Sequence, residues 1–489
     1  MNDHINEAKL DARARQTMVD NGFTAVFPQE VLDQVGTLNK SQQTQTDSSI
    51  QDLRNLLWSS IDNESSRDLD QIEYAEQLEN GDIRILVGIA DVDEMVPKDS
   101  PIDKFAAQNT VTVYTESEIF PMLPTELSTD LTSLNENKDR LAIIVELVIK
   151  ENGDVPGNNV YHGLVRNHAQ LAYESVGAWL DENGPIPKKI ADSPELKDQI
   201  LLQQKAAERL HEFRKAKGAL EFESIESSAV VVDGQIRDIK SVEPNSARKI
   251  IENFMVAANV EMAEFLDNHK SLSLRRVVKT PERWDRIREV AADFGETLPE
   301  QPDAQALAEF LDKRRAADPE HFPDLSLSIV KLIGAGEYIV QRPGEDGDGH
   351  FGLGVRDYAH STAPNRRYPD IVVQRLVKAA ISGEPAPYSE DELNAIAEHC
   401  NEQERAARKV ERKMRKVVAA TVMQNRVGQE FDAIVTGKTA SGTFARILRP
   451  PVDGRIVKGE ERVQVGEKID VKLLSADPRN GFIDFANLS

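Results

Sequence analysis

Four carboxylates fall within nine positions of the stretch "SSIDNESSRDLDQIEY": Asp62, Glu64, Asp68 and Asp70. Carboxylates brought that close repel one another, and at least one holds its proton unless a cation sits among them. Two readings are open. A solvated acidic turn carries the charge at little cost. A magnesium site requires it, because that ion is hard, prefers oxygen and is held by one or two carboxylates with waters and substrate phosphate. A calcium loop does not fit, since alternating acids with glycine at the sixth place are absent. If Asp68 and Asp70 lie on one strand, two apart, their side chains share a face. Asp62 would end the preceding strand, and "NESSR" can fold it back beside them.

Cations stand elsewhere in the chain. "TAPNRRYPDIVVQRL" puts Arg366 and Arg367 just before a helix start expected at Pro369. Paired arginines at a helix N-terminus suit a phosphate, although a surface ion pair explains them equally well. "ERAARKVERKMRKVV" reads as a helix with Arg405, Arg408, Lys409, Arg412 and Lys416 at helical spacing and a buried stripe of Ala407, Val410, Met414 and Val417. Glu411 lies one residue off that stripe. It suits a structural ion pair, or an acid serving a metal-bound or attacking water.

The elements that must position these groups follow from periodicity. Residues 1–38 read as two helices, followed by a polar linker, "NKSQQTQTDSSIQDL". "LLWSSID" reads as a strand. The acidic segment then leads into a hairpin whose turn is Asn80–Gly81. Residues 160–215 read as helical, Asp233–Gly234 as a hairpin turn, and "SARKIIENFMVAANVEMAEFLDNH" as a long helix. Further helices are expected at 280–295, 303–316, 370–382 and 390–425. After Arg426 apolar and polar residues alternate with frequent turn signals, the pattern of a small β-barrel. The expected organisation is a helical segment over 1–45, a central domain over 46–426 and a barrel over 427–489.

Composition bounds the function. The chain has 489 residues, 40% hydrophobic and 29% charged, which suits a soluble protein of more than one domain. No apolar run approaches the roughly 18 residues of a membrane span, and the polar start does not read as a signal peptide. A single cysteine, Cys400, allows no intrachain disulfide and fits the cytoplasm. The net charge of −24 argues against a broadly basic surface. Any nucleic-acid site must be a local basic channel.

Six motifs occur in a fixed order: "IDNESSRDLDQIE", "FPMLPTELSTDLTSL", "GALEF", "IIENFMVAAN", "HFGLGVRDYAHSTAPNRRYPDIVVQRL" and "ERAARKVERKM". Over roughly residues 50–425 the chain resembles the ribonuclease II/RNB family of exoribonucleases, and its tail resembles an S1-like OB-fold. The resemblance implies an α+β fold: an RNB catalytic domain of mixed sheet and surrounding helices with a central RNA channel, then the C-terminal barrel. It implies processive 3′→5′ hydrolysis of single-stranded RNA to nucleoside 5′-monophosphates, with one or two magnesium ions. Asp62, Asp68 and Asp70 match three of the family's four catalytic aspartates. Gln71 stands at the fourth, so less charge faces the metal. Arg366 matches the arginine of the family's "SPIRRY" segment, here "APNRRY", and Arg367 follows it as a further RNA contact. Glu411 matches a glutamate near the catalytic centre. Tyr114 matches a tyrosine that packs on the 3′-terminal nucleotides, Phe222 a phenylalanine that stacks on bases near the scissile bond, and Tyr173 and Glu252 residues that touch terminal nucleotides. On the tail, Phe444 and Arg446, with Arg449, Arg455 and Lys458, are expected to grip RNA outside the channel. The family's paired cold-shock domains find no room before the first motif. The expected partner is single-stranded RNA, the expected form a cytoplasmic monomer away from membranes. Two alternatives stand: an RNB-fold protein that holds RNA 3′ ends but cleaves poorly because of Gln71, and a metal-dependent phosphodiesterase for another substrate such as a short oligonucleotide.

Overall fold

The computed structural model describes residues 7–38, 49–223, 226–232, 235–242, 244–319, 321–439 and 442–489. The chain opens with α1 (Glu7–Asp20) and α2 (Gln29–Thr37), the two helices expected there. Leu10, Ala14 and Met18 recur every four residues on α1 and are all buried. Most of the polar stretch that follows lies outside the described residues, as does the Asp233–Gly234 turn.

One curled sheet organises the next segment. Its strands are β1 (Gln51–Asp52), β2 (Trp58–Asp62), β3 (Gln71–Gln77) and β4 (Ile83–Ala90), then, after α3 (Pro101–Asn109) and a small hairpin of β5 (Val113–Tyr114) and β6 (Ile119–Phe120), β7 (Asp139–Ile149) and β8 (Asn158–Ala172). The order is β1-β8-β2-β3-β4-β7, and β8 also pairs with β7. Strand β8 meets β7 through Asn158–Arg166 and β2 through Asn167–Ala172, so the sheet turns back on itself. Residues 160–172 are therefore strand, not the helix expected from the sequence. Val160, Tyr161, Leu164 and Val165 are all buried, because the curl covers both faces over that stretch, and a run apolar on both faces carries no clear period. A second expectation also changes. Asp68 and Asp70 are not on the hairpin strand but just before it, since β3 begins at Gln71. They still alternate with buried Leu69, whose N–H donates to Ser133 Oγ at 2.9 Å and whose carbonyl accepts from Leu134.

Helices then pack on the sheet: α4 (Tyr173–Leu180), α5 (Lys188–Ala191), α6 (Pro194–Ala216) and, after β9 (Glu226–Val232) and β10 (Gln235–Val242), the central α7 (Ser246–Asn268). Strand β11 (Ser273–Val277) leads to α8 (Trp284–Asp293), α9 (Ala304–Ala317) and α10 (Phe322–Ile333), which share a core of Trp284, Ile287, Leu307, Phe310, Phe322 and Ile329. Neither α3 nor α10 was expected. β12 (Glu337–Gln341) pairs with β11, then α11 (Tyr368–Ser382) and α12 (Glu390–Gln424) follow. A capping box between Ser389 and Glu392 starts α12. β13 (Glu430–Thr439), β14 (Gly442–Ile447), β15 (Val452–Lys458), β16 (Lys468–Asp477) and β17 (Phe482–Asn487) close a five-stranded barrel in the order β13-β14-β15-β17-β16. Ala419, Ala420, Val422 and Met423 from the end of α12 belong to the barrel's own core, so one helix carries packing from the central fold into the tail.

Candidate active site

A cavity of about 500 Å³ opens where β2, the start of β3, α4, α7 and the segment before α11 meet. Asp62, Asp68, Asp70 and Gln71 line it together with Tyr114, Tyr173, Arg248, Glu252 and Arg366. Asp70 is buried, and burial pushes its carboxyl up to about 7, with Arg366 and the Asn365 N–H pulling the other way. Burial also raises Asp68. Asp62 Oδ1 accepts from Ser66 Oγ at 2.8 Å and from its neighbour's N–H, so the turn "NESSR" does fold around it. Two residues past Gln71 stands Glu73, buried with no hydrogen-bond partner on either oxygen; burial and Asp62 hold its carboxyl far above the usual range.

The segment before α11 comes into direct contact with these acids. Asn365 N–H donates to Asp70 Oδ1 at 2.9 Å, and Ala363 N–H to Asp370 Oδ1 at 2.8 Å. Between those anchors Arg366 reaches the cavity, its Nε 3.5 Å from Asp70 Oδ2. Arg367 turns inward and pairs with fully buried Asp370 at 2.7 Å. It does not line the cavity. The backbone at Arg367 is extended, so neighbouring side chains point to opposite sides. The "APN" variation is absorbed locally: Asn365 is buried and its Oδ1 accepts from Thr132 Oγ1 at 2.5 Å.

Two phenols complete the wall. Burial and Asp68 raise Tyr114; burial and Asp62 raise Tyr173. Both remain protonated donors at neutral pH. Arg248, singled out by no motif, lies with its guanidinium 4.5 Å from the Tyr173 ring centre and donates to Asn63 Oδ1 and Glu174 Oε1 at 3.2 and 3.0 Å. Asn245 caps α7 by accepting from the Arg248 N–H. Gly177 on α4 lets that cap come close, since a Cβ there would lie 2.3 Å from Asn245 Cγ. An N-cap followed three residues later by a cation was the available sign of Arg248, but only the approach of α4 aims it at the cavity.

A family model described as the RNB domain matches residues 50–383. The chain belongs to the RNB family. A second model, the RNase II-type exonuclease C-terminal S1 domain, matches residues 429–488. Ribonuclease R of Escherichia coli is 29% identical over 95% of this chain and 60% of its own length. Ribonuclease R of Vibrio cholerae is 32% identical over 88% and 53%. This RNB chain thus spans somewhat over half the length of those relatives. Among solved structures, the apo form of Mycoplasma genitalium RNase R has a TM-score of 0.87 at 22% identity, covering 98% of this chain and 78% of that one. Yeast Ssd1, described as a pseudonuclease, has a TM-score of 0.74 at 17% identity, covering 96% and 57%. Likeness of fold alone therefore does not decide cleavage.

Of the other expected site residues of the RNB chain, Phe222, Glu252 and Arg446 lie along adjoining cavities, and Phe444 and Glu411 do not. Phe222 lines a second cavity of about 620 Å³, with Arg214, Arg315 and, from the barrel, Arg446. Arg248 and Glu252 line both cavities and mark where they adjoin. Arg446 is tied to Asp324 at 3.2 Å and Asp453 at 3.1 Å. Phe444 is half-buried on the outer face of β14, outside the barrel core and both cavities. Glu411 lines neither; its Oε1 accepts from the Tyr114 N–H at 3.2 Å. The predicted stripe Ala407, Val410, Met414 and Val417 is buried.

Three carboxylates and an amide oxygen facing one cavity are the donors a hard divalent ion takes. They are not drawn into a cage: among the described residues, no three acidic, histidine or cysteine side chains gather closely enough to hold a metal by themselves. The set fits an ion that keeps waters and shares substrate phosphate.

Proposed function

We propose that this RNB chain is a magnesium-dependent 3′→5′ exoribonuclease that hydrolyses single-stranded RNA processively to nucleoside 5′-monophosphates. One observation carries the reading: Asp62, Asp68, Asp70 and Gln71 share a single cavity with Arg366, whose Nε stands 3.5 Å from Asp70. Anionic donors and a phosphate-gripping cation in one cavity are what a phosphodiester needs. The names of the curated relatives point the same way.

The 3′ end of the RNA enters past Arg446 and Phe222, passes Arg248 and Glu252, and stops in the acidic chamber. Phe222 stacks on a base, an interaction worth about 1–3 kcal/mol and open to every base. Tyr114 and Tyr173, phenols that stay neutral at pH 7, present O–H donors to the last nucleotide. Arg366 takes up charge as it develops on the scissile phosphate. Water attacks phosphorus, the 3′ oxygen of the preceding nucleotide leaves, and the phosphate stays on the released nucleoside. Magnesium, when held by Asp62, Asp68 and Asp70 with the Gln71 amide oxygen, supplies charge neutralisation and water activation. The working form proposed is a cytoplasmic monomer; the single cysteine suits a reducing compartment.

The test uses purified protein and a 5′-labelled oligoribonucleotide, with magnesium or with EDTA. A ladder shortening from the 3′ end only with magnesium is expected. Shifted but intact RNA in both would replace this reading with that of a 3′-end-binding protein, for which Gln71 is the motive. Cleavage limited to fragments of two to four nucleotides would indicate a phosphodiesterase of short substrates.

A further inference from the structure

Helix α1 lies away from the acidic chamber, yet its apolar face packs on the elements that hold Tyr114. Ala14 and Met18, with Phe23 beyond the helix end, form one buried cluster with Val113 and Phe120 of the β5–β6 hairpin and Ala407, Val410 and Met414 of α12. Val113 and Phe120 are cross-strand partners, as are Tyr114 and Ile119. Side chains alternate along a strand, so burying Val113 in the cluster that α1 and α12 share leaves Tyr114 on the opposite face, toward the chamber. Arg15 closes the hairpin from outside through two bonds to Glu118, at 2.9 and 2.6 Å. Glu411 holds the Tyr114 N–H from the α12 side. The same strand segment also carries the other wall. Thr112 N–H donates to the Arg366 carbonyl at 2.9 Å, and Tyr368 N–H to the Thr110 carbonyl at 2.8 Å. Just beyond α1, Thr24 and Asn109 exchange two bonds at 3.0 and 2.9 Å, fixing the exit of α1 against the end of α3.

We propose that α1 is a positioning brace for the chamber. By packing on Val113 and Phe120 and clasping Glu118, it sets where Tyr114 stands and, through Thr112, where Arg366 stands. It thereby fixes how the 3′-terminal nucleotide is seated. Ala14, Arg15 and Met18 are positioning residues, since none touches the cavity. This inference rests on the exoribonuclease reading for its rate effects but has a readout independent of cleavage.

The experiment compares wild type with Met18→Ala, Arg15→Glu, Glu118→Arg and the double variant Arg15→Glu/Glu118→Arg. Seating is read first, in EDTA, from the fluorescence of an RNA bearing 2-aminopurine at its 3′ end. Cleavage with magnesium follows, with kcat, KM and the length of the last product measured separately. Wild type should quench the probe strongly. Met18→Ala, still folded by its melting transition, should lose at least half of that quenching, lower kcat about ten-fold with KM within two-fold, and change the length of the last product. Each single charge reversal should do the same more weakly, and the double variant should recover. Should Met18→Ala fail to fold, the charge-reversal set decides alone. Unchanged quenching and kcat in folded Met18→Ala, or no recovery in the double variant, overturns the brace. A wild type that quenches the probe but never cleaves overturns the exonuclease reading and leaves the brace to be judged by quenching.

Discussion

The acidic chamber and the outer face of the barrel both hold charged and aromatic side chains, yet their surroundings differ. In the chamber, Asp70 is buried with the Arg366 Nε at 3.5 Å, and burial moves its carboxyl up to about 7. On the barrel, Arg446 is already paired with two acids, and Phe444 is half-buried on the face turned away from the barrel core. Desolvation makes chamber charges expensive alone and strongly dependent on a cation or phosphate arriving. Partly solvated, paired charges gain little from one more partner. Function should therefore concentrate in the chamber, with the barrel adding reach.

The largest effect should come from Asp70→Asn. Losing several kcal/mol of charge stabilisation at the scissile phosphate predicts a fall in kcat of more than about a thousand-fold, with RNA binding in a filter assay nearly unchanged. Surviving cleavage would place the chemistry elsewhere. Arg366→Ala should lower kcat by about a hundred- to a thousand-fold with little loss of stability, because burial already raises the Asp70 carboxyl to about 7 and it can take up a proton when the cation is gone. Its neighbour gives the contrast: Arg367→Ala leaves Asp370 buried without its cation, and should cost about 3–5 kcal/mol in urea unfolding. Equal behaviour of the two arginines would erase the distinction between outward and inward side chains.

Protonation sharpens the same comparison. Burial raises the Asp70 carboxyl from the ordinary 3.8 to about 7, so the folded state holds its proton to higher pH than the unfolded chain. Its contribution to stability is full below about pH 4 and is lost as pH rises toward and through 7. In EDTA, calorimetry should show wild type losing more stability than Asp70→Asn between pH 5 and pH 8. Parallel curves would mean that Asp70 is not desolvated. Phe222→Ala should weaken RNA binding by about 1–3 kcal/mol. The smallest effect belongs to the barrel: Arg446→Ala should reduce the salt slope of RNA binding by less than about one unit and leave kcat unchanged. A loss as large as that of Phe222→Ala would make the barrel an equal partner in binding.

Much of this molecule is written in local spacing. The α12 stripe, the Asn80–Gly81 turn, the barrel's alternation and the order of the acids and arginines were legible because each depends on residues a few positions apart. The same reading went astray at 160–172, where burial on both faces removes the period, and at Asp68 and Asp70, which keep an alternating arrangement without belonging to a strand. Only the folded chain decides that Asp70 is buried, that Arg366 faces the cavity while Arg367 anchors on Asp370, that Arg248 stacks on Tyr173, and that α1 backs the Tyr114 hairpin. Each of those joins segments distant in sequence. Desolvation and ion pairing are set by what arrives from elsewhere in the chain, and spacing along one segment does not record it.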